Sequence, residues 1–245
     1  MTVRTRCALF LLSCAGLVLL LAWGTAGLPS FGHYPGPYGD LVAQLAKPQR
    51  HVANAVTAVV FDYRGFDTLG EETIMLAAAA ATAMLLREVR DSGTEDLVDP
   101  VRSRGVAGAG AVTAAATLVL GLQVVAHGFL TPGGGFQGGV VLSAAFLIVF
   151  LAAEYRAFRA LTREHVVEPA EGIGAAAFVG LGLLSLGLGL GFLQSFLPHG
   201  TFGRLTSGGS LDLVNWASAV AVCGALLVVY GEYLQEAMSG RHGSG

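Results

Sequence analysis

Three side chains in one short run could handle an ion: Asp67, Glu71 and Glu72, within Asp62-Tyr-Arg64-Gly-Phe-Asp67-Thr-Leu-Gly-Glu71-Glu72. A fourth, His127, stands shortly before Thr131-Pro132-Gly133-Gly134-Gly135-Phe136-Gln137-Gly138-Gly139. Carboxylates and imidazole exchange protons, and carboxylates also bind small cations. Their setting gives these groups their interest. The apolar run after Glu72, residues 73–86, is only 14 residues long, whereas a helix needs about 20 to cross the hydrocarbon core. A spanning helix must therefore recruit Glu71 and Glu72 at one end or the Arg87-Glu-Val-Arg90 stretch at the other. Arginines can snorkel. Glutamates reach less far, and an acid at a membrane boundary faces a bundle interior or an ion pathway, unless it merely favours a helix N-terminus.

The glycine-rich stretch lies between two long apolar runs, 106–125 and 140–153. Irregular backbone at membrane depth persists only where it is buried in protein or lines a wet cavity. Gly134 and Gly135 are expected at positive φ, where a β-branched residue is strongly disfavoured. Gly133, Gly135 and Gly138 also satisfy G-x-G-x-x-G. The dinucleotide reading fails, because 106–125 is too long for a strand and Glu154 is misplaced for the acidic residue. A plainer role remains open, a turn that lets two helices meet.

The elements around these groups follow from composition. The chain has 245 residues, 53% hydrophobic and 13% charged, with mean hydropathy +0.64. Soluble domains carry about 25% charged residues. The expected fold is all-α, a polytopic cell-membrane protein with about six transmembrane helices. A net charge of −3 excludes a basic field for nucleic acid. Cys7, Cys14 and Cys223 lie in apolar runs without metal-ligand spacing, so no metal or cofactor is expected. HExxH, CxxC and P-loop motifs are missing, and no Ser–His–Asp set lies in a plausible context, which speaks against an enzyme.

Residues 1–28 read as an uncleaved first helix, with a signal peptide cleaved after Gly24-Thr-Ala26, which offers small residues at −3 and −1, as the alternative. Residues 29–53 contain Pro29, Pro35, Pro37 and Pro48 and are expected to form an extracytoplasmic loop without helix. The polar stretch 91–104 is the candidate boundary between two pieces. The expected organisation is thus 1–28, then 29–104 with the acidic run, a four-helix part over 105–238, and a tail, 239–245. Within 173–193, Gly187 and Gly191 form a GxxxG pair, and Gly172, Ala176 and Gly180 form a small-residue stripe of the kind that packs helices in lipid.

Two resemblances sharpen this. The run from His127 through Thr131-Pro-Gly-Gly-Gly-Phe-Gln-Gly-Gly139 resembles the signature of the MnhB (MrpB) family, small membrane subunits of multisubunit Na⁺/H⁺ antiporters and of related membrane-bound hydrogenase complexes. That family usually has a histidine three residues before the proline. Here Phe129 stands there, and His127 is the candidate substitute. The run Asp62 to Glu71 resembles the end of the large antiporter subunit MnhA, which a small separate subunit of the hydrogenase complexes also carries. The resemblances cover roughly 50–90 and 105–236.

They imply an accessory subunit of a monovalent cation (Na⁺)/proton antiporter. It would help neighbouring membrane subunits, within the lipid bilayer, to form an ion passage for Na⁺ or H⁺, with Asp67, Glu71, Glu72 and His127 as candidate pathway groups. Arg64 and 132–139 would be structural. The alternatives are a membrane-arm subunit of an ion-translocating hydrogenase-type complex, a packing subunit without an ion site, and a stand-alone channel or transporter.

Orientation follows the distribution of basic residues. Six spans with both termini cytoplasmic put Arg4, Arg6, Arg87, Arg90, Arg102, Arg104, Arg156, Arg159, Arg163 and Arg241 inside. Only Lys47, Arg50, Arg64 and Arg204 fall outside. Reporter fusions after Arg90 and Arg163 should read cytoplasmic, and fusions after Pro35 and Gly200 external. A cytoplasmic signal from the 195–210 loop overturns this topology.

Overall fold

The computed structural model of the chain describes residues 3–28, 32, 36–90 and 103–239. Most of the candidate boundary 91–104, of the tail 239–245 and of the Pro29–Pro35 stretch lies outside them. The described residues are helical, without strands: α1 (Val3–Ala26), α2 (Pro37–Arg50), α3 (Ala55–Ala58), a π-helical turn (Val59–Tyr63), α4 (Gly65–Arg90), α5 (Arg104–Ala126), α6 (Gly135–Leu161), α7 (Glu164–Gly187) and α8 (Leu211–Ser239). Six of these, α1 and α4 to α8, are long and apolar enough to cross a membrane. The chain is an all-α, multi-pass membrane protein.

It forms two compact units, Met1–Leu41 and Val42–Gly245. In the first, α1 is apolar all round and exposed along its length. A helix with no polar face suits lipid on every side. The second unit is built around α8. Its spanning window is 61% buried, whereas no other exceeds 28%; α4, α6 and α7 all pack on it, and α5 packs on α6.

Two apolar clusters hold the two ends of the bundle. One gathers Val52, Phe61, Phe129, Phe178, Leu193, Leu211, Val214 and Ala217. The other gathers Ala79, Tyr155, Phe158, Val167, Ala225, Leu227, Val228 and Met238.

Several sequence expectations are corrected. The 29–53 stretch is not free of helix. Pro37 opens α2, where a missing N–H costs nothing. Pro48 falls in the last turn, and Gln44, whose carbonyl loses its partner, is exposed. His51, at φ 55°, then turns the chain out of the helix. The 73–86 run recruits both sets of neighbours, since α4 extends from Gly65 to Arg90.

The small-residue stripe on α7 is also misplaced. Gly172, Gly180 and Gly187 face open space, and Gly191 lies beyond the helix. The packing glycines are Gly174 and Gly182, about 200° round the helix from that stripe. A Cβ on Gly174 would lie 2.4 Å from Ala221 N, and one on Gly182 2.2 Å from the Phe192 ring.

The loop from α7 to α8 folds back over one end of the bundle. Leu193 is driven into the core at φ 62°, and His199 sits 5.9 Å from His51, centroid to centroid. His51 Nδ1 lies 2.7 Å from the Gly200 carbonyl. Burial, then Arg50 and His51, pull the His199 pKa below its usual range, with Asp62 pulling weakly the other way. A depressed histidine pKa stabilises the fold above the ordinary value of about 6.5, and that stability is lost as pH falls through the folded value. Amide exchange in 199–209, corrected for intrinsic rates, should therefore rise on acidification in the parent and not in H199F. Equal acid response in both overturns the assignment.

Candidate functional site

The glycine-rich segment begins where α5 stops. The His127 N–H closes the helix on the Gln123 carbonyl, and His127 then starts a tight turn, its own carbonyl accepting from Leu130 at 2.9 Å and Thr131 at 3.0 Å. The neighbouring carbonyls find their partners in α3 and the residues just before it. Gly128 O accepts from Thr57 Oγ1 at 2.6 Å and Asn54 Nδ2 at 2.9 Å. Thr131 O accepts from Asn54 Nδ2 at 3.1 Å, and Phe129 O from the Ala53 and Asn54 N–H groups at 2.9 and 3.0 Å. The Phe129 ring is fully buried in the core. His127 is half-buried, with Nδ1 3.1 Å from Gln123 O. The two side chains thus have different surroundings.

α6 begins inside the glycine run. Gly133 and Gly134 have φ of 154° and 138°, so the expectation of positive φ holds for Gly134. It fails for Gly135, which is the first residue of α6 and is needed for another reason. A Cβ there would lie 2.0 Å from the Asn215 carbonyl oxygen of α8. Gly139, one turn on, faces Ala219 O at 2.8 Å, and Gly138 faces α5, with Val125 Cγ2 at 2.2 Å. Asn215, fully buried, ties the three helices together: Oδ1 accepts from Gly135 N–H at 2.6 Å, and Nδ2 donates to Val125 O at 2.9 Å. Asn215 was given no role in the sequence analysis. Its signal was an amide beside an apolar run, too common to single it out. Pro132 and Gln137 are exposed, and Phe136 is half-buried.

Of the acidic candidates, Glu72 alone is buried, at 3% exposure, and it accepts a hydrogen bond from Ser218 Oγ of α8 at 2.5 Å. Glu71, on the same turn of α4, is exposed. Asp67 pairs with Arg64, both more than half exposed, a pair worth little in water. Arg64 therefore does not partner the glutamates. Asn215 and Ser218, three residues apart, lie on one face of α8. Glu72 and the glycine segment are thus set against neighbouring turns of the same helix, while His127 bonds along its own.

Further charges were given no pairing in the sequence analysis. Asp62, barely exposed, is gripped by Arg50, Nε at 2.6 Å and Nη2 at 3.0 Å. Toward the other end, Arg87 of α4 bonds Glu232 of α8 at 2.7 Å and also Glu168 of α7. Glu171 of α7 is buried; it lies just before the run that reads as apolar, so periodicity does not mark it. Among the described residues, no group of three or more His, Cys, Asp or Glu could hold a metal. The arrangement suits exchange of a proton or a dehydrated monovalent cation at single carboxylates.

The glycine contacts have a measurable consequence. G135V drives a branched side chain into the α8 backbone and should destabilise the protein by more than about 3 kcal/mol. N215L leaves Gly135 N–H and Val125 O unpaired, a loss of about 1–3 kcal/mol for each group. G172V, facing open space, should leave thermal stability in detergent nearly unchanged. Equal melting of G135V and the parent overturns the packing argument.

The comparisons with known proteins agree with this architecture. Residues 106–231 match the family described as a domain related to the MnhB subunit of Na⁺/H⁺ antiporter, and residues 37–104 match the MbhE family, a subunit of MBH. An uncharacterized protein of Methanocaldococcus jannaschii is 29% identical over 161 residues, 59% of this chain and 61% of that protein. A protein of Rhizobium meliloti described as the A/B subunit of a probable K⁺/H⁺ antiporter is 24% identical over 234 residues, 86% of this chain and 23% of that one. The chain therefore spans less than two thirds of the length of either relative.

Among solved structures, the chain is similar to one chain of the membrane-bound sulfane sulfur reductase, an archaeal respiratory membrane complex. The TM-score is 0.70 at 29% identity, covering 94% of this chain and 98% of that one. A chain of the Mrp complex from Dietzia sp. DQ12-45-1b gives 0.69 at 23% identity over 95% of this chain and 26% of that one, a likeness of fold. With more than half of its length matched at 106–231, this chain belongs to the MnhB family.

Proposed function

We propose that the chain is an accessory membrane subunit of a multisubunit monovalent cation/proton antiporter, and that it contributes Glu72 to an ion passage shared with neighbouring subunits. The observation that carries this is a carboxylate buried within a membrane helix, held by one hydroxyl and, among the described residues, by no arginine. An acid in such a place is costly unless it exchanges a proton or a cation. The names of two similar proteins, one from a K⁺/H⁺ antiporter and one from an Mrp complex, support the same reading. Glu71, exposed at the same level, offers an approach to the site. Pro132 and Gln137 present a polar edge of the glycine segment to a neighbour. Catalysis of a chemical reaction is not part of this role.

A second reading keeps the passage and changes the parent: a membrane-arm subunit of an ion-translocating redox complex. The match to MbhE and the likeness to a sulfane sulfur reductase chain favour it. Both readings place Glu72 in the path.

Glu→Gln keeps size and hydrogen bonding but removes charge and titration. In everted vesicles containing the whole complex, E72Q should assemble normally and lose cation-dependent proton movement to the level of membranes lacking the chain. E71Q should retain most of it. Parent-like transport by an assembled E72Q complex overturns the passage and leaves the packing role.

A further inference from the structure

Glu171 is a buried acid that the role of Glu72 does not use. It is 7% exposed, and its Oε1 is buried without a hydrogen-bond partner among the described residues. α7 carries it inward because its buried face repeats every three or four residues: Val167, Glu171, Gly174, Phe178, Gly182, Ser185. Opposite stands Gly224 of α8. A Cβ on that glycine would lie 2.8 Å from Glu171 Cα and Cβ, so the two backbones are in contact. The charged groups nearby are already committed. Glu168, one turn earlier on α7, and Glu232 of α8 share Arg87 of α4. The remaining titratable neighbour on α8, Cys223, carries no positive charge.

Among the described residues, a carboxylate ion in this position has no cation to balance it. The stable forms are the neutral acid and an ion accompanied by a mobile cation. We infer that Glu171 is a second proton-exchanging carboxylate of the membrane domain, standing one level below Glu72 along α8. Glu72 sits at the level of Ser218 and Glu171 at that of Gly224, six residues on, about 9 Å of helix rise. Arg87 with Glu232 closes the series about 12 Å further. Release breaks the acid O–H bond, the carboxylate keeping the electron pair and water taking the proton; uptake is the reverse. The inference rests on the passage proposed for Glu72 and extends it toward the opposite face.

An apolar cavity of about 280 Å³, lined in part by Val167, Ala170, Cys223 and Gly224, lies beside Glu171 and admits a hydrophobic probe. Dicyclohexylcarbodiimide adds the O–H of a protonated acid across a C=N bond, so a labelled peptide gains the full mass of the reagent. In native membranes holding the complete complex, Glu171 should be labelled at acid and neutral pH, with labelling falling as pH rises. E171Q should assemble, lose the label and lose most cation-dependent proton movement, and E171D should recover part of both.

No label on Glu171 at any pH, or parent-like transport in E171Q beside inactive E72Q, overturns the inference. Labelled Glu171 with inactive E171Q and parent-like E72Q overturns the role of Glu72 and leaves this one standing. If E171Q fails to assemble, labelling of the unsubstituted chain decides.

Discussion

Backbone that leaves helical form inside a bilayer has no water to turn to, and the segment between α5 and α6 answers that constraint bond by bond. Its carbonyls at 127, 128, 129 and 131 each find a donor, and the first N–H of α6 is taken by the Asn215 amide. The glycines make those partners reachable. With Cβ atoms at 135, 138 and 139, α6 could not lie close enough to α8 and α5 for Asn215 to bridge them. The packing of α8 and the irregular turn are thus one solution, and the position of Glu72 depends on it, because Ser218 follows Asn215 on the same face.

The charges of the bundle are arranged around α8 in graded degrees of compensation. Among the described residues, Arg87 is satisfied by two carboxylates, Glu72 by one hydroxyl, and Glu171 Oε1 by nothing. A network that is fully paired rigidifies, whereas an incompletely paired buried group is costly. The membrane domain therefore has one end tied by ion pairs and an interior with less compensated carboxylates. That division places the ion pairs where they tie α4, α7 and α8 together and leaves Glu72 and Glu171 between helices.

Spans were legible because a run of apolar residues long enough to cross a bilayer leaves few other folds. Their ends were less so. α2 was missed because two prolines look prohibitive in sequence, although one sits at a helix start and the other beside an exposed carbonyl. The Gly172–Gly180 stripe had the right spacing on the wrong side of α7, since spacing alone carries no information about which face meets a partner. Glu72 was legible as an acid at a span margin, but its separation from Glu71, one buried and one exposed, is a matter of helix rotation. Asn215 and Glu171 were illegible for a related reason: one polar residue beside an apolar run becomes significant only when its neighbour across the interface is known.

The bonds from 53–57 to 128–131 join the two regions matched by different families, 37–104 and 106–231. Were those regions separate polypeptides, the same carbonyls would depend on a bimolecular encounter, diluted by the area of the membrane. Joined in one chain, they meet at a local concentration that does not fall with expression level. Fusion therefore also sets the stoichiometry: every glycine segment is synthesised together with the residues that complete its hydrogen bonds.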